Sequence, residues 1–364
     1  MSKLFEALTL RGLTIPNRVW MAPMCQYSAD SAGPDTGAPQ DWHFQHLASR
    51  AVGGAGLILV EATAVSPEGR ISALDLGLWN DRQQQTFRRI TAFLESVGTV
   101  PGIQLAHAGR KASTNSPWTD GGSAVPQERG GWQTLAPSAV PFAGNPIPAE
   151  LTTDQIATVV QQFADAARRA LSAGFKVVEV HGAHGYLIHE FLSPQSNTRT
   201  DAYGGSLENR MRFALEVVDA IRSVWPDDLP VFFRTSATDW LAGDTADERV
   251  GWTGEDTVRL AKELQAHGVD LLDVSSGGNI PDAAIPVAPG YQVPFATAVR
   301  DQTGLPVGAV GLITEPHQAD EILAAGQADA VLLGRQLLRD PYWPRHAATA
   351  LDVEWARTKQ YARA

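Results

Sequence analysis

The chain has 364 residues, 44% of them hydrophobic, and carries 29 Lys plus Arg against 40 Asp plus Glu for a net charge of -11. That composition supports a full core and excludes a disordered chain, and its acidic balance argues against nucleic acid or an anionic membrane as the main partner. The one cysteine, Cys25, excludes an internal disulfide, an iron–sulfur cluster and an all-cysteine zinc site. No apolar run precedes Glu6 and none reaches the ~18 residues of a membrane span, so neither a signal peptide nor a membrane segment is expected, and the expected setting is the cytoplasm.

The first strand-like run is 19–24, followed by a Gly-, Pro- and Asp-rich stretch at 28–39 that reads as a surface loop. A strand at 57–62, a helix at 81–97 and a strand at 100–106 come next. Residues 111–149 break the rhythm, with many Gly, Pro and Trp residues; a loop of that length in a compact domain is usually functional, and Trp118 and Trp132 favour an ordered lid. The clearest helix spans 152–173. It opens on the capping-box pattern Thr152-Thr153-Asp154-Gln155, places Ile156, Val159, Val160, Phe163 and Ala167 on one stripe, and ends at Gly174. Strands at 177–181, 231–235, 271–275, 307–310 and 330–333 alternate with helices at 207–224, 254–267 and 315–325. Near-continuous apolar strands suit a parallel sheet buried on both faces. About eight such units predict a single (β/α)8 barrel over 1–364, with a short N-terminal cap and a long loop after the third strand. A doubly wound open sheet is the other reading. The barrel is favoured because polar residues recur where strands end, at Cys25, Glu61, Gln104, His107, His181, His184, Arg234, Ser275, Gly311, Gly334 and Arg335. No Gly-x-Gly-x-x-Gly follows a strand, so no resident Rossmann site is expected.

The strongest local signal is His181-Gly182-Ala183-His184-Gly185-Tyr186. Alternation on the strand sends His181 to the barrel mouth, and the glycines bring His184 and Tyr186 back over it. Two imidazole N–H groups can grip a carbonyl oxygen, and a phenol beside them can deliver a proton. The same pair can also be read as metal ligands, with Glu179 and His107, in a metal-dependent hydrolase or lyase barrel. Cys25 reads as a nucleophile, a core thiol or a cofactor neighbour. Gln104 offers a donor and an acceptor to a ring with an imide edge, or belongs to a satisfied polar layer. Arg234, a charge in an apolar run, needs an internal acid or an anionic ligand. Gly311, Gly334 and Arg335, after the last two strands, suit a phosphate. One ligand satisfies the phosphate, the ring edge, the anionic site and an open face under two histidines: flavin mononucleotide.

The chain resembles the Old Yellow Enzyme family of FMN-dependent ene-reductases, and within it the bacterial NADPH dehydrogenase and xenobiotic reductase A subgroup. The resemblance runs from Leu4-Phe5-Glu6 and Pro16-Asn17-Arg18, through Ala22-Pro23-Met24-Cys25-Gln26-Tyr27, Val60-Glu61-Ala62 and Gln104 to Lys111. It continues in His181 to Arg210 and closes on Gly311, Gly334-Arg335 and Arg339-Asp340-Pro341. It implies non-covalent FMN at Ala22, Pro23, Met24, Cys25, Ala62, Gln104, Arg234, Gly311, Gly334 and Arg335, with Cys25 tuning the flavin. It places Tyr27, His181 and His184 on the substrate side, with Tyr186 as proton donor. It implies reduction of enone-type C=C bonds by NADPH or NADH in alternating turns, no metal, and no nucleic-acid or membrane partner. The ending Gln360-Tyr361-Ala362-Arg363 resembles the subgroup's tail, in which an arginine reaches a neighbouring subunit's site. That implies a homodimer or homotetramer with Arg363 at the substrate.

Overall fold

The computed structural model describes residues 2–241, 247–354, 358–361 and 363. A hairpin of β1 (Leu8–Leu10) and β2 (Leu13–Ile15) opens the chain. It is followed by β3 (Val19–Met21), α1 (Asp41–Val52), β4 (Leu57–Ala64), α2 (Asp81–Ser96) and β5 (Val100–Ala106). Two short strands, β6 (Leu135–Ala136) and β7 (Ala149–Glu150), pair within the long loop. Then come α3 (Thr153–Ser172), β8 (Val177–Gly182), α4 (Leu187–Leu192), α5 (Leu207–Arg222), β9 (Val231–Ser236), α6 (Gly254–Ala266), β10 (Leu271–Ser275) and α7 (Val293–Thr303). The last elements are β11 (Val307–Ala309), α8 (Pro316–Ala324), β12 (Ala330–Leu333), α9 (Arg335–Arg339) and α10 (Trp343–Ala350). Strands β3, β4, β5, β8, β9, β10, β11 and β12 pair in parallel in that order and close into a barrel. The expected (β/α)8 barrel is the architecture, and the open doubly wound sheet is not.

Alternation along the strands divides the apolar residues in two. Outward positions such as Ile58, Val60, Ile103, Val178, Val180, Phe233 and Leu272 merge with the buried helix faces in one large core. Inward positions Trp20, Leu57, Leu59, Val177, Phe232, Leu271 and Leu332 form a second core inside the barrel, where Trp20 and Phe232 stack at 5.6 Å. Leu10 and Ile15 of the hairpin belong to that inner core. The N-terminal cap is thus a plug, and it leaves the C-terminal end as the open end. Two residues farther along the inward faces, apolar side chains give way to Gln104, Glu179, Arg234 and Asp273, all buried.

Helix α3 shows how local sequence sets an element. Thr152 accepts a hydrogen bond from the Gln155 N–H at 3.2 Å, and the Gln155 side chain accepts from the Thr152 N–H at 2.9 Å. Thr152→Ala is expected to cost ~1 kcal/mol, read as a lower urea midpoint with an unchanged slope.

The differences from the sequence expectations are local. The run at 19–24 leaves the sheet after Met21, because Pro23 has no N–H for the ladder. Helices α1, α4, α7, α9 and α10 were not among the expected elements. The 111–149 loop is tied down at Trp132, whose Nε1 donates to the Glu68 carbonyl at 2.8 Å, whereas Trp118 is 69% exposed. Among the described residues no helix is long and apolar enough to cross a membrane.

Candidate active site

The polar layer at the open end is internally paired. Gln104 Nε2 donates to Glu179 Oε1 at 2.8 Å, and Arg234 Nε lies 3.0 Å from Asp273 Oδ2. Burial pushes both carboxyl groups up, with Arg234 opposing the shift, and Glu179 is carried furthest because Asp273 also faces it. Removing Asp273 would leave a buried, uncompensated guanidinium, whereas removing Arg234 would leave a carboxyl that burial drives to its neutral form.

Above this layer stands the turn that follows β8. His184 adopts φ 62° and Gly185 φ 72°. A left-handed residue other than glycine costs ~1–2 kcal/mol and persists only where its surroundings over-determine it. Here they do. The His184 N–H donates to Ser236 Oγ at 2.9 Å, and Lys111 Nζ donates to the His184 carbonyl at 2.8 Å. The Gly185 N–H donates to His189 Nδ1 at 2.9 Å, and His189 Nε2 lies 3.2 Å from Asp239. A Cβ at Gly185 would sit 2.4 Å from the Gly278 carbonyl oxygen, so only glycine fits. The result is a cluster of three rings: His181 and His184 edge-on at 5.2 Å, and His181 and Tyr186 at 5.0 Å. Burial, reinforced by the nearby Arg234 charge, pushes both histidines below the ordinary imidazole range, so both are neutral at pH 7. The Ala183 N–H donates to His181 Nδ1 at 3.3 Å, which puts the His181 proton on Nε2. Burial also raises Tyr186 and keeps its O–H.

The opposite wall is the segment after β3. The Gln26 N–H donates to Glu61 Oε1 at 2.8 Å. Glu61 can face this segment and His43 of α1, 3.7 Å away, because the β4–β5 register slips between Val60 and Thr63 and re-aims the side chain. Cys25, Tyr27, Tyr186 and Trp132 pack around Ile71, Ala108 and Ala112. Burial first, then Asp75 and Glu61, push the Cys25 thiol up, so it is a neutral S–H and not a thiolate nucleophile. Iodoacetamide labelling of Cys25 is therefore expected to stay slow to about pH 9. Rapid labelling at pH 7 would contradict that environment. An open cavity of about 470 Å³ meets these walls at Tyr27 and Tyr186; the rest of its lining is Ile71, Lys111 and the 111–149 loop, including Asn115 and Phe142, and neither His181 nor His184 lines it.

The remaining predicted residues fall as follows. Ala22 is buried, and its N–H donates to the Leu333 carbonyl. Pro23, Met24 and Cys25 line the chain between β3 and Tyr27, and Ala62 is buried in β4. Gly311, at φ 123°, follows β11, and Gly334 and Arg335 follow β12. The exposed Arg335 has no hydrogen-bond or ion-pair partner among the described residues. Arg363 is exposed. The tail before it, Lys359–Tyr361, sits against Val52, Phe93 and Val97 at the far ends of α1 and α2. His107 does not join His181 and His184. Its Nδ1 accepts from the Gly109 N–H, and among the described residues no three or more His, Cys, Asp or Glu gather as a metal-ligand set. The hydrolase reading therefore lacks the third and fourth ligands it needs.

A family profile described as the NADH:flavin oxidoreductase / NADH oxidase family matches residues 3–354. The chain belongs to this family. It is an FMN-dependent oxidoreductase, and the Old Yellow Enzyme resemblance read from its motifs holds. An NADPH dehydrogenase of Geobacillus thermodenitrificans is 50% identical over 361 residues, covering 99% of this chain and 98% of that one. The solved Old Yellow Enzyme homologue of Zymomonas mobilis superposes with a TM-score of 0.76 at 26% identity, covering 97% of this chain and 94% of that one. A 2-naphthoyl-CoA reductase superposes with a TM-score of 0.85 at 26% identity, covering 96% of this chain, which spans about half (52%) of that one.

The donors present suit FMN. An uncommitted guanidinium beside two glycine turns matches a phosphate. Gln104 spends one N–H on Glu179 and keeps its carbonyl and second N–H for a ring edge. Arg234 supplies positive charge from the barrel interior. Sequence reasoning missed Lys111, Ser236, Asp273 and Gln292. Lys111 lies 5.2 Å over the Tyr186 ring and 4.6 Å over Phe142, and burial lowers its pKa to about 8. The only signal for it was its place at the end of the Gln104 to Lys111 motif.

Proposed function

We propose that the whole chain, as one FMN-binding domain, is an NAD(P)H-dependent ene-reductase that acts on activated C=C bonds of α,β-unsaturated carbonyl or nitro compounds in the cytoplasm. The observation that carries this reading is the cluster of two neutral imidazoles and a protonated phenol at the open end of the barrel. Ala22 to Cys25, Ala62, Gln104, Arg234, Gly311, Gly334 and Arg335 would hold FMN, which would supply hydride chemistry between NADPH or NADH and the substrate. His181 and His184 donate hydrogen bonds to the carbonyl oxygen as negative charge develops there. Tyr186 gives its proton to the substrate α-carbon. Tyr27 and Lys111 wall the substrate. Cys25, kept as a thiol, adjusts the flavin's surroundings without bonding to substrate.

With one pocket for both reactants, nicotinamide and enone take turns. Steady-state rates with both concentrations varied are expected to give parallel double-reciprocal lines. Intersecting lines would mean that both bind together and would overturn the shared pocket.

Residues 358–361 share a cavity lining with Val52, Phe93 and Val97 at the ends of α1 and α2, which supports Arg363 serving a substrate in the pocket of a neighbouring copy. We therefore place the chain in a homodimer or homotetramer, with Arg363 orienting a carbonyl or a phosphate by charge-assisted hydrogen bonds. Arg363→Ala is expected to raise KM several-fold with little change in stability. Light scattering that finds a fully active monomer would contradict this arrangement.

A further inference from the structure

Ser275 ends β10 and is 5% exposed, and its Oγ lies 2.9 Å from Nε2 of His184. A neutral imidazole carries one proton, so this contact has two possible polarities. In the first, His184 Nε2–H donates to Ser275, whose own hydroxyl then needs an acceptor. Among the described residues the acceptor within reach is Gln292 Oε1 at 3.4 Å, which already takes the Ser276 hydroxyl at 2.6 Å. The orientation of the Gln292 amide is set from its other end, where Nε2 donates to the Val310 carbonyl at 2.9 Å. In the second polarity the Ser275 hydroxyl donates to a bare Nε2. This makes one short bond and does not rely on a long one to an occupied acceptor.

We propose that Ser275 is a positioning residue whose hydroxyl donates to His184 Nε2 and so holds the ring proton on Nδ1, the nitrogen left to meet the substrate oxygen. The inference rests on the ene-reductase reading for its consequence but not for its test. The two histidines then become donors by different means. A backbone N–H occupies His181 Nδ1 and leaves Nε2–H, while a hydroxyl occupies His184 Nε2 and leaves Nδ1–H. The choice matters because both rings are neutral. An imidazolium would donate from either nitrogen, but a neutral His184 with its proton on Nε2 would turn a lone pair toward a carbonyl oxygen that is gaining charge.

The test is a ring-nitrogen NMR spectrum of the FMN-loaded protein labelled with ¹⁵N-histidine, with the His184 signals identified by their loss in His184→Asn. The wild type is expected to show a protonated Nδ1 and a bare Nε2. Ser275→Ala is expected to move the proton wholly or partly to Nε2, and Ser275→Thr, which keeps the hydroxyl, to restore the wild-type pattern. Flavin absorbance of each variant reports cofactor retention, and the Thr variant keeps the comparison usable if the Ala variant loses FMN. A wild-type His184 protonated on Nε2 would overturn the proposal, as would a Ser275→Ala spectrum unchanged from wild type. Reoxidation of the reduced protein by an enone is expected to slow about tenfold in Ser275→Ala, less than the loss of a whole donor, and to recover in Ser275→Thr. If the spectra behave as stated but no enone, maleimide or nitro-olefin reoxidises the reduced protein, the substrate reading fails and the assignment of Ser275 stands.

Discussion

Tyr186→Phe is expected to slow enone reduction by roughly 10²–10⁴-fold, the range for losing a positioned general acid, with the loss concentrated in the half-reaction that consumes the enone. The ring remains, so the edge-on contact with His181 at 5.0 Å and the packing beside Cys25 and Tyr27 persist. The O–H alone is removed. Burial holds Tyr186 well above the ordinary phenol pKa, so the O–H stays protonated across the working pH range and is not itself the cause of any bell-shaped profile near neutrality. Flavin reduction by NADPH requires no proton from this phenol. Stopped-flow traces of the two half-reactions separate the cases, and a mutant slowed chiefly in the reductive step would contradict the role given to Tyr186.

His181→Ala and His184→Ala are each expected to lose about 10²–10³ in turnover, the value of one preorganised donor to a developing oxyanion, while FMN content stays near wild type. The two differ in what else they disturb. His181 sits in a strand, and its removal leaves the backbone unstrained. His184 stands at φ 62°, held by Ser236 and Lys111. His184→Asn is therefore the cleaner comparison, because asparagine tolerates the left-handed region and still offers an N–H. It is expected to recover part of what alanine loses. Normal enone turnover in either alanine variant would show that the imidazoles do not hold the substrate oxygen.

The barrel was legible because its strands are buried on both faces. Runs such as those of β5 and β10 stand out with no partner in view, and the capping box at Thr152 marked α3 to within a residue. Helix α1 was hidden because His43, His46 and Arg50 occupy its buried face and break the apolar stripe. Their compensation is tertiary: Arg50 donates to the Leu337 carbonyl, 287 residues away in sequence. The direction of Glu61 was hidden for another reason, since a register slip between two strands leaves no mark on either. The ring cluster at His181, His184 and Tyr186 was readable because six consecutive residues carry it. Its supports were not, because Lys111, Ser236 and Ser275 reach His184 from three other strand ends.

In the proposed function, a hydride passes from nicotinamide to an activated C=C bond through one pocket of this FMN-dependent oxidoreductase. An anaerobic double-mixing experiment tests it most directly: the yellow protein is bleached with one equivalent of NADPH, then mixed with 2-cyclohexenone, and the saturated ketone is counted. The flavin absorbance is expected to return at a rate at least equal to turnover, with one ketone formed per flavin. A bleached flavin that stays bleached with cyclohexenone and with every other activated alkene, yet reoxidises in air, would contradict it.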